Sequence, residues 1–455
     1  MSKLIQLITH GSLSKKSLWL VTIVYLALAL NFANWNHNKL IRSDTILYYQ
    51  YLTAAFQFDD MSFQFHNQLP EDFDGEIWVT VTEEGIHNKV TMGMAILLVP
   101  FYLMAYAINM IFDLGSYGYS NVFQFFLFIA GVFYGLMGLI VVRKVLLKLF
   151  SESAVAVTLL IVGLGTNLTY YSALCPGMTH VYSFFLFAMV LWLTVRWFEK
   201  VSLKNTLGLG MILGLICLVR PSNALVVLLP ILYGVTTHSS LKHGVSWYLG
   251  RFPYYLLMAG GTFMVVSLQL IFWKYSTGSW LVYSYGDEGF FWSDPKILDG
   301  LFGARKGWLF YTPLMSLSLL GLLVRKKESR HFTFAIALFF LVNLYVIVSW
   351  WCWWYGGGFG MRPLIESYAL LAVPLAVAVS TLLRIRLIKW ITLPLIIAFL
   401  YLNLFQCWQY EKGLIHYDGM NLESYKKLFL QRHNPKDIYD YIESPDYNEA
   451  KKGNR

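Results

Sequence analysis

The sequence predicts an all-α polytopic membrane protein of about eleven transmembrane helices, with an interfacial helix following its first outer loop. Three observations predict it. Of 455 residues, 57% are hydrophobic and only 13% charged, against roughly 25% charged in a soluble protein. The apolar residues fall in continuous runs, which excludes the alternating strands of a membrane β-barrel. The basic residues gather in short loops between those runs, as the positive-inside rule requires. A soluble enzyme and a disordered chain are excluded by the same composition, and 4 Cys exclude a disulfide scaffold. The net charge of +9 belongs to the loops and does not point to nucleic acid.

Lys15 and Lys16 precede an apolar run from Ser17 to Phe32, which ends in Asn34-Trp35-Asn36-His37-Asn38. No small-residue cleavage site follows, so the run reads as a first crossing with a cytoplasmic N-terminus. Further runs occupy residues 91–112, 120–142, 154–173, 179–197, 205–220, 222–234, 252–273, 308–324, 331–350, 366–383 and 389–406. Arg220-Pro221-Ser222 interrupts 205–234. A proline and a charge in mid-run predict two short tilted helices meeting in a turn.

Five basic clusters set the topology: Arg143/Lys144/Lys148, Arg196/Lys200/Lys204, Lys242/Arg251, Arg325/Lys326/Lys327/Arg330 and Arg384/Arg386/Lys389. Two apolar runs separate each from the next, so all five share one side, the cytoplasm. If 91–112 also crossed, all five would face outward. That segment contains Pro100 and follows a long polar loop, and is expected at the interface or only part-way in. Eleven crossings result, with the C-terminus outside; a twelve-crossing chain would end inside. Residues 1–406 form the transmembrane unit, with outer loops at 35–90 and 274–307. The first loop carries Asp44, Asp59, Asp60, Glu71, Asp72, Asp74, Glu76, Glu83 and Glu84. Residues 407–455 read as a small polar outer tail without a core of its own.

Five segments carry residues fit for chemistry. Arg42-Ser43-Asp44-Thr45-Ile46-Leu47-Tyr48-Tyr49 sets Asp44 and Tyr48 on one helix face at i,i+4. A partly desolvated carboxylate there can act as a general base, although an arbitrary loop Asp is more often a solvated acid. Lys89, just before the interfacial run, can meet a lipid phosphate or simply snorkel. His180 opens an apolar helix after the short turn Cys175-Pro176-Gly177-Met178-Thr179, with Tyr182 beside it. Ionisable groups at such depth mark function or a hydrogen-bonded structural role. Gly303-Ala304-Arg305-Lys306-Gly307, followed by Trp308 and Tyr311, offers two cations and mobile backbone N–H groups to an anion. Trp353-Trp354-Tyr355-Gly356-Gly357-Gly358-Phe359-Gly360-Met361-Arg362 sets four glycines and aromatics before a last cation. No phosphate-binding loop, dinucleotide fingerprint or His-Glu-x-x-His occurs, and the cysteines show no metal spacing.

These residues, in this order, resemble the GT-C superfamily of membrane glycosyltransferases. The likeness is to its protein O-mannosyltransferase-like branch, which includes lipid A aminoarabinose transferases. It covers about residues 1–320: a first helix, a long acidic outer loop opening on Asp44, an interfacial helix, then short-looped helices. Thr45 stands where the family's acidic pair continues, and Lys89-Val90-Thr91 replaces its usual Lys-Pro-Pro. His180 falls where the family often places a second acid. The resemblance implies inverting transfer of a hexosyl or pentosyl group from a polyprenyl-phosphate donor. The acceptor is a lipid, glycan or protein at the outer face of the cell membrane. It implies Asp44 as base with His180 assisting, and Lys89, Arg305, Lys306 and Arg362 on the donor phosphate. Tyr48, Tyr49, Tyr182, Trp308, Tyr311, Trp354 and Tyr355 would line the substrate. A divalent metal, Mg or Mn, would have Asp44 and His180 as its ligands. A lipid-sugar flippase would instead need charges at mid-membrane and on both sides. A non-catalytic scaffold leaves the outer cations without a role.

Overall fold

The computed structural model describes residues 11–37, 39–65, 79–82, 85–114, 118–237, 249–324, 326–327 and 329–455. Glu71, Asp72, Asp74, Glu76, Glu83, Glu84, Lys242 and Arg325 lie outside the described residues. The fold is helical, with one antiparallel hairpin, β1 (Thr80–Thr82) and β2 (Gly85–His87), in the first loop. Among the described residues seven helices are long and apolar enough to cross a bilayer, including Leu13–Asn36, Asn121–Leu146 and Phe252–Thr277.

Contacts at the helix termini define two ends of the bundle. One is basic. There the Ser14 backbone N–H donates to Glu152 (3.0 Å) and Arg143 donates to the Ser14 hydroxyl (2.6 Å). Helix α1 (Leu13–Phe32) starts at this end and α4 (Asn121–Leu146) finishes there. At the other end, Asn34 donates to the Leu174 carbonyl (3.1 Å) and to Glu411 (2.9 Å), and the Leu40 N–H reaches Gln124 (3.0 Å). All the candidate site residues lie toward this second end, called here the site end.

Between the two ends the described residues pass eleven times. The passes are α1; α4; α5 (Glu152–Leu164) with α6 (Leu168–Ala173); α7 (His180–Glu199); and α8 (Leu203–Val219). Next come a 3-10 helix Pro221–Val227 with α9 (Leu228–Thr237); α10 (Phe252–Thr277); and, after α11 (Ile297–Phe302), α12 (Trp308–Tyr311) with α13 (Ser316–Leu323). The last three are α14 (Arg330–Ser349), α15 (Tyr368–Leu382) and α16 (Arg386–Glu411). Two helices stay at the site end: α2 (Asp44–Phe56) and α3 (Gly93–Phe112). At 20 residues and mean hydropathy 2.0, α3 could span. Its packing says otherwise. Gly93 lies against the Leu218–Val219 backbone, so closely that a Cβ would overlap it, while Gly118, just beyond the helix, meets Thr53 of α2 and Tyr102. The start of α3 and its middle, where Tyr102 meets Tyr49 and Phe56 of α2 and Phe123 of α4, therefore both touch the site end, and the Tyr134 hydroxyl meets its Leu97 carbonyl (2.8 Å) part-way down α4.

Two predicted single helices are broken. The run 154–173 parts at Gly165-Thr166-Asn167, and the carbonyls released there are taken up from a neighbour: Asn403 donates to Leu164 (2.8 Å) and Thr166 (3.0 Å). In a bilayer such a break persists only where protein groups satisfy it. The run 308–324 breaks at Thr312-Pro313, where proline has no N–H to give. The break at Arg220-Pro221 matches expectation. The tail departs from expectation: α16 continues past residue 406 to Glu411, and the polypeptide beyond, with α17 (Leu422–Leu428) and α18 (Tyr447–Lys451), packs back over the site end.

Candidate active site

Asp44 is the first residue of α2, introduced by Ser43 at φ 50°. Its side chain is 42% exposed, and one oxygen accepts a hydrogen bond from Arg362 at 3.0 Å. Arg362 follows the glycine loop, where Tyr355, Gly356 and Gly360 all take positive φ. This hairpin-like path, which glycine permits without steric penalty, turns the guanidinium back toward α2. Burial opposes the Arg362 charge, but Asp44, Tyr171 and Tyr48 together outweigh it and hold the guanidinium pKa above its ordinary value.

A second acid lies behind. Glu366, 1% exposed, meets His180 Nδ1 at 3.1 Å and Arg220 at 3.7 Å. Arg220, the residue that ends α8, is 20% exposed and lies 5.7 Å over the Tyr355 ring. A buried carboxylate is tolerable only when paired, and Glu366 has two partners. Lys89 forms the third group. It pairs with Glu288 at 2.5 Å, is 33% exposed, and lies 5.1 Å from the Tyr285 ring. Ser284 fixes the loop by donating to the Lys89 carbonyl (2.6 Å). Tyr48 links the groups: Asp44, Arg220, Arg362 and Tyr285 all act on its hydroxyl, which burial keeps protonated. The result is the half-exposed Asp44 carboxylate held by Arg362, with Tyr48 and Tyr285 each close enough to feel both Asp44 and Arg220, and Lys89 beside Tyr285.

The structure brings together Asp44, His180, Lys89, Arg362, Tyr48 and Tyr355 of the sequence-predicted residues. It gives Arg305 and Lys306 other partners. Arg305 lies 5.4 Å over Trp354 and donates to the Glu443 carbonyl of the tail (3.2 Å). Lys306 is 2% exposed and donates to the Gly358 and Tyr417 carbonyls. The expectation that glycine flanks open this pair to an anion is corrected by the returning tail, which occupies it. Four aromatics pack elsewhere. Tyr49 contacts Tyr102 and Tyr119; Tyr182 donates to Pro176; Trp308 contacts Phe340; and Tyr311 donates to Ala304. Trp354 lies between Arg305 and Tyr447.

Arg220, Tyr285, Glu288 and Glu366 were missed. Two of them carried a signal: Arg220 is a charge in mid-run, and Glu366 is an acid at the head of an apolar run, the kind of residue a bilayer retains for a purpose. The metal expectation does not fit. Among the described residues no three His, Cys, Asp or Glu side chains converge. Asp44 and His180, the two expected ligands, are engaged by Arg362 and by Glu366 with Arg220.

From Arg220 the 3-10 helix Pro221–Val227 descends to an apolar groove of about 420 Å³. Leu213, Val227, Ile231, Met258, Phe263 and Val266 line it.

No family model matches the sequence, and no curated protein is similar to it. Solved structures are. An oligosaccharyltransferase from Archaeoglobus fulgidus, in complex with Zn and sulfate, superposes at TM-score 0.51 with 13% identity, over 96% of this chain and 58% of that one. The oligosaccharyltransferase AglB of the same organism, with an inhibitory peptide and a dolichol-phosphate, gives TM-score 0.51 and 13% identity, over 94% and 59%. The chain thus spans about three-fifths of the length of the structures it matches. What it has in common with them is the helical membrane fold.

Proposed function

We propose that the chain is a membrane glycosyltransferase, moving a hexosyl or pentosyl group from a polyprenyl-phosphate donor to a lipid, glycan or protein acceptor, with inversion. The observation that carries this is the half-exposed Asp44 carboxylate held by Arg362, with two more partly exposed cations, Arg220 and Lys89, at the same end of an apolar bundle. One-sided charge favours transfer over a flippase, which needs charges along its path. The basic end faces the cytoplasm by the positive-inside rule, which sets the site at the outer face of the cell membrane.

Asp44 engages Arg362 through one oxygen. The other accepts the proton of the acceptor hydroxyl or amine. As that proton leaves, the acceptor atom bonds to the anomeric carbon from the face opposite the phosphate. The anomeric carbon–oxygen bond breaks, and its electron pair departs with the polyprenyl phosphate, which gains one negative charge. Arg362, Arg220 and Lys89 receive that charge. Charge-assisted hydrogen bonds contribute roughly 1.5–3 kcal/mol each, and fixed donors aimed at developing charge supply much of a catalytic site's effect. Glu366 holds Arg220 in place, and His180 holds Glu366. The groove below Arg220 takes the prenyl chain beyond its first units. A 3-10 helix rises about 2 Å per residue, so the seven residues of Pro221–Val227 span about 14 Å between phosphate and groove. The AglB complex with dolichol-phosphate supports a lipid-phosphate donor for this fold. No step is assigned to a metal, because the acids that would hold one are already paired with arginines.

The test is direct. Protein in lipid nanodiscs is incubated with a panel of polyprenyl-phosphate sugars, and release of polyprenyl phosphate is measured. Release from one donor, dependent on an added acceptor, supports the proposal. No release from any donor, with transbilayer movement of the lipid-linked sugar instead, would sink it.

A further inference from the structure

Lys306 does no phosphate chemistry in the arrangement above, yet it is the most enclosed cation at the site end. Its ammonium donates to two carbonyls from different segments: Gly358 in the glycine loop and Tyr417 in the tail. The Tyr417 carbonyl also accepts from the Gly358 N–H (3.3 Å). Three segments therefore meet at one ammonium: the loop before α12, the glycine loop and the tail. Four residues after Gly358 comes Arg362, whose side chain lies against it, so that a Cβ at Gly358 would come within 3.2 Å of the Arg362 Cδ. The other face of the loop is held by Tyr171, which accepts from the Phe359 N–H (2.9 Å), and by Asn167, which donates to the Phe359 carbonyl (3.2 Å).

We propose that Lys306 is a positioning residue, pinning the glycine loop to the C-terminal segment and so holding Arg362 against Asp44. Four glycines within five residues give that loop no stiffness of its own, so its path must be imposed by neighbours. On the side of the tail, the Tyr447 hydroxyl and Tyr417 ring lie against Gly356 and Gly357, and Lys306 adds hydrogen bonds that join the loop to the tail. No carboxylate lies within ion-pair range of Lys306 among the described residues, so its hydrogen bonds to carbonyls, not an ion pair, hold it there. Misplacing a catalytic group by about 1 Å costs on the order of a hundredfold in rate. The proposal rests on the transferase reading only in assigning a rate to the Arg362–Asp44 pair.

The test pairs turnover with a cross-link. A Cβ at Gly357 lies 3.9 Å from the Tyr417 Cβ, inside the range of about 3.5–4.5 Å that a disulfide needs. Lys306→Met keeps length and removes the donors. It is expected to lower turnover at least about tenfold with donor KM within about twofold. In the Gly357→Cys/Tyr417→Cys pair, disulfide yield by peptide mass mapping is expected to fall when Lys306→Met is added. Once that disulfide is oxidised, it is expected to restore turnover to the Lys306→Met protein. Unchanged cross-linking overturns the proposal. So does a raised KM with turnover intact, which would make Lys306 a direct donor ligand. If the parent protein transfers no sugar, the cross-link still decides the clamp, and the failure belongs to the transferase reading alone.

Discussion

Two sets of cations lie at the site end and have different surroundings. Lys89, Arg220 and Arg362 each pair with an acid and keep part of the side chain open, at 33%, 20% and 12% exposure. Arg305 and Lys306, adjacent and flanked by glycines, are taken up by backbone carbonyls and by Trp354. The first set has charge to spare for a ligand, because one acid can release it. The second is held by groups that never leave. What separates the sets is the partner each cation has, not its exposure or its neighbours in sequence. If that is right, breaking members of the first set changes chemistry or binding, and breaking members of the second changes structure or nothing.

The largest effect is expected at the acid behind the first set. Glu366→Ala strips a buried pair of one member, leaving Arg220 and His180 without their carboxylate. Breaking such a pair costs about 3–5 kcal/mol. Thermal unfolding in detergent should show a clear fall, with Glu366→Gln falling less because it keeps hydrogen bonds. An unchanged midpoint for Glu366→Ala would mean the pair contributes little to the bundle.

Next is Asp44→Asn, which keeps shape and removes the proton acceptor. Turnover should fall at least about a hundredfold, the lower part of the range for a general base. Donor binding and membrane insertion should persist. A well-folded variant with near-normal turnover removes Asp44 from the chemistry, and the search for a base moves to Glu288. Third is Arg220→Gln, which removes one charge from the phosphate. Donor KM should rise about tenfold or more, from the loss of one charge-assisted hydrogen bond, with turnover at saturation changed less.

Much of the fold was legible in the sequence because bilayers punish misplaced polarity. The five basic clusters could share one side only if α3 did not cross, and the start and the middle of α3 both lie at the site end. His180 was legible as an ionisable residue opening an apolar helix, and Asp44, Lys89 and Arg362 as charges next to helix starts or after the glycine run. Their partners were not. Glu366 lies 186 residues from His180 in the chain and 146 from Arg220, and nothing local announces a pairing across α7, α8 and α15. Arg305 and Lys306 were misread for the same reason in reverse. Their glycine flanks describe backbone freedom, whereas their environment is set by a tail more than a hundred residues later.

A pH series tests the second set. Burial first, and then Arg362, push the Lys306 ammonium down to about 7. The unfolded chain holds that proton to about 10.4. Between the two values the unfolded state binds more protons, so Lys306 makes stability rise with pH from about 7 to about 10. The difference in unfolding midpoint between wild type and Lys306→Met isolates this contribution. It should shift in favour of wild type as pH rises through that window. A flat difference would mean the amine is charged in both states.

The smallest effect is expected at Arg305. Its guanidinium lies over the Trp354 ring and reaches one tail carbonyl. Exposed cation–π contacts contribute only about 0.5–1 kcal/mol, and a solvent-facing hydrogen bond exchanges readily with water. Arg305→Gln keeps a donor of similar reach for the Glu443 carbonyl. Donor KM and turnover should both stay within about twofold of wild type, against the tenfold rise expected at Arg220. The contrast matters more than either number. Both are arginines at the same end of the bundle, and both precede a helix start. If Arg305→Gln raised donor KM as Arg220→Gln does, the tail would have to lift from Arg305 to admit the phosphate. The partner found in the resting structure would then no longer separate the two sets. If only Arg220 responds, a buried acid behind a cation is what marks it for ligand binding, and a carbonyl above it marks it as structural.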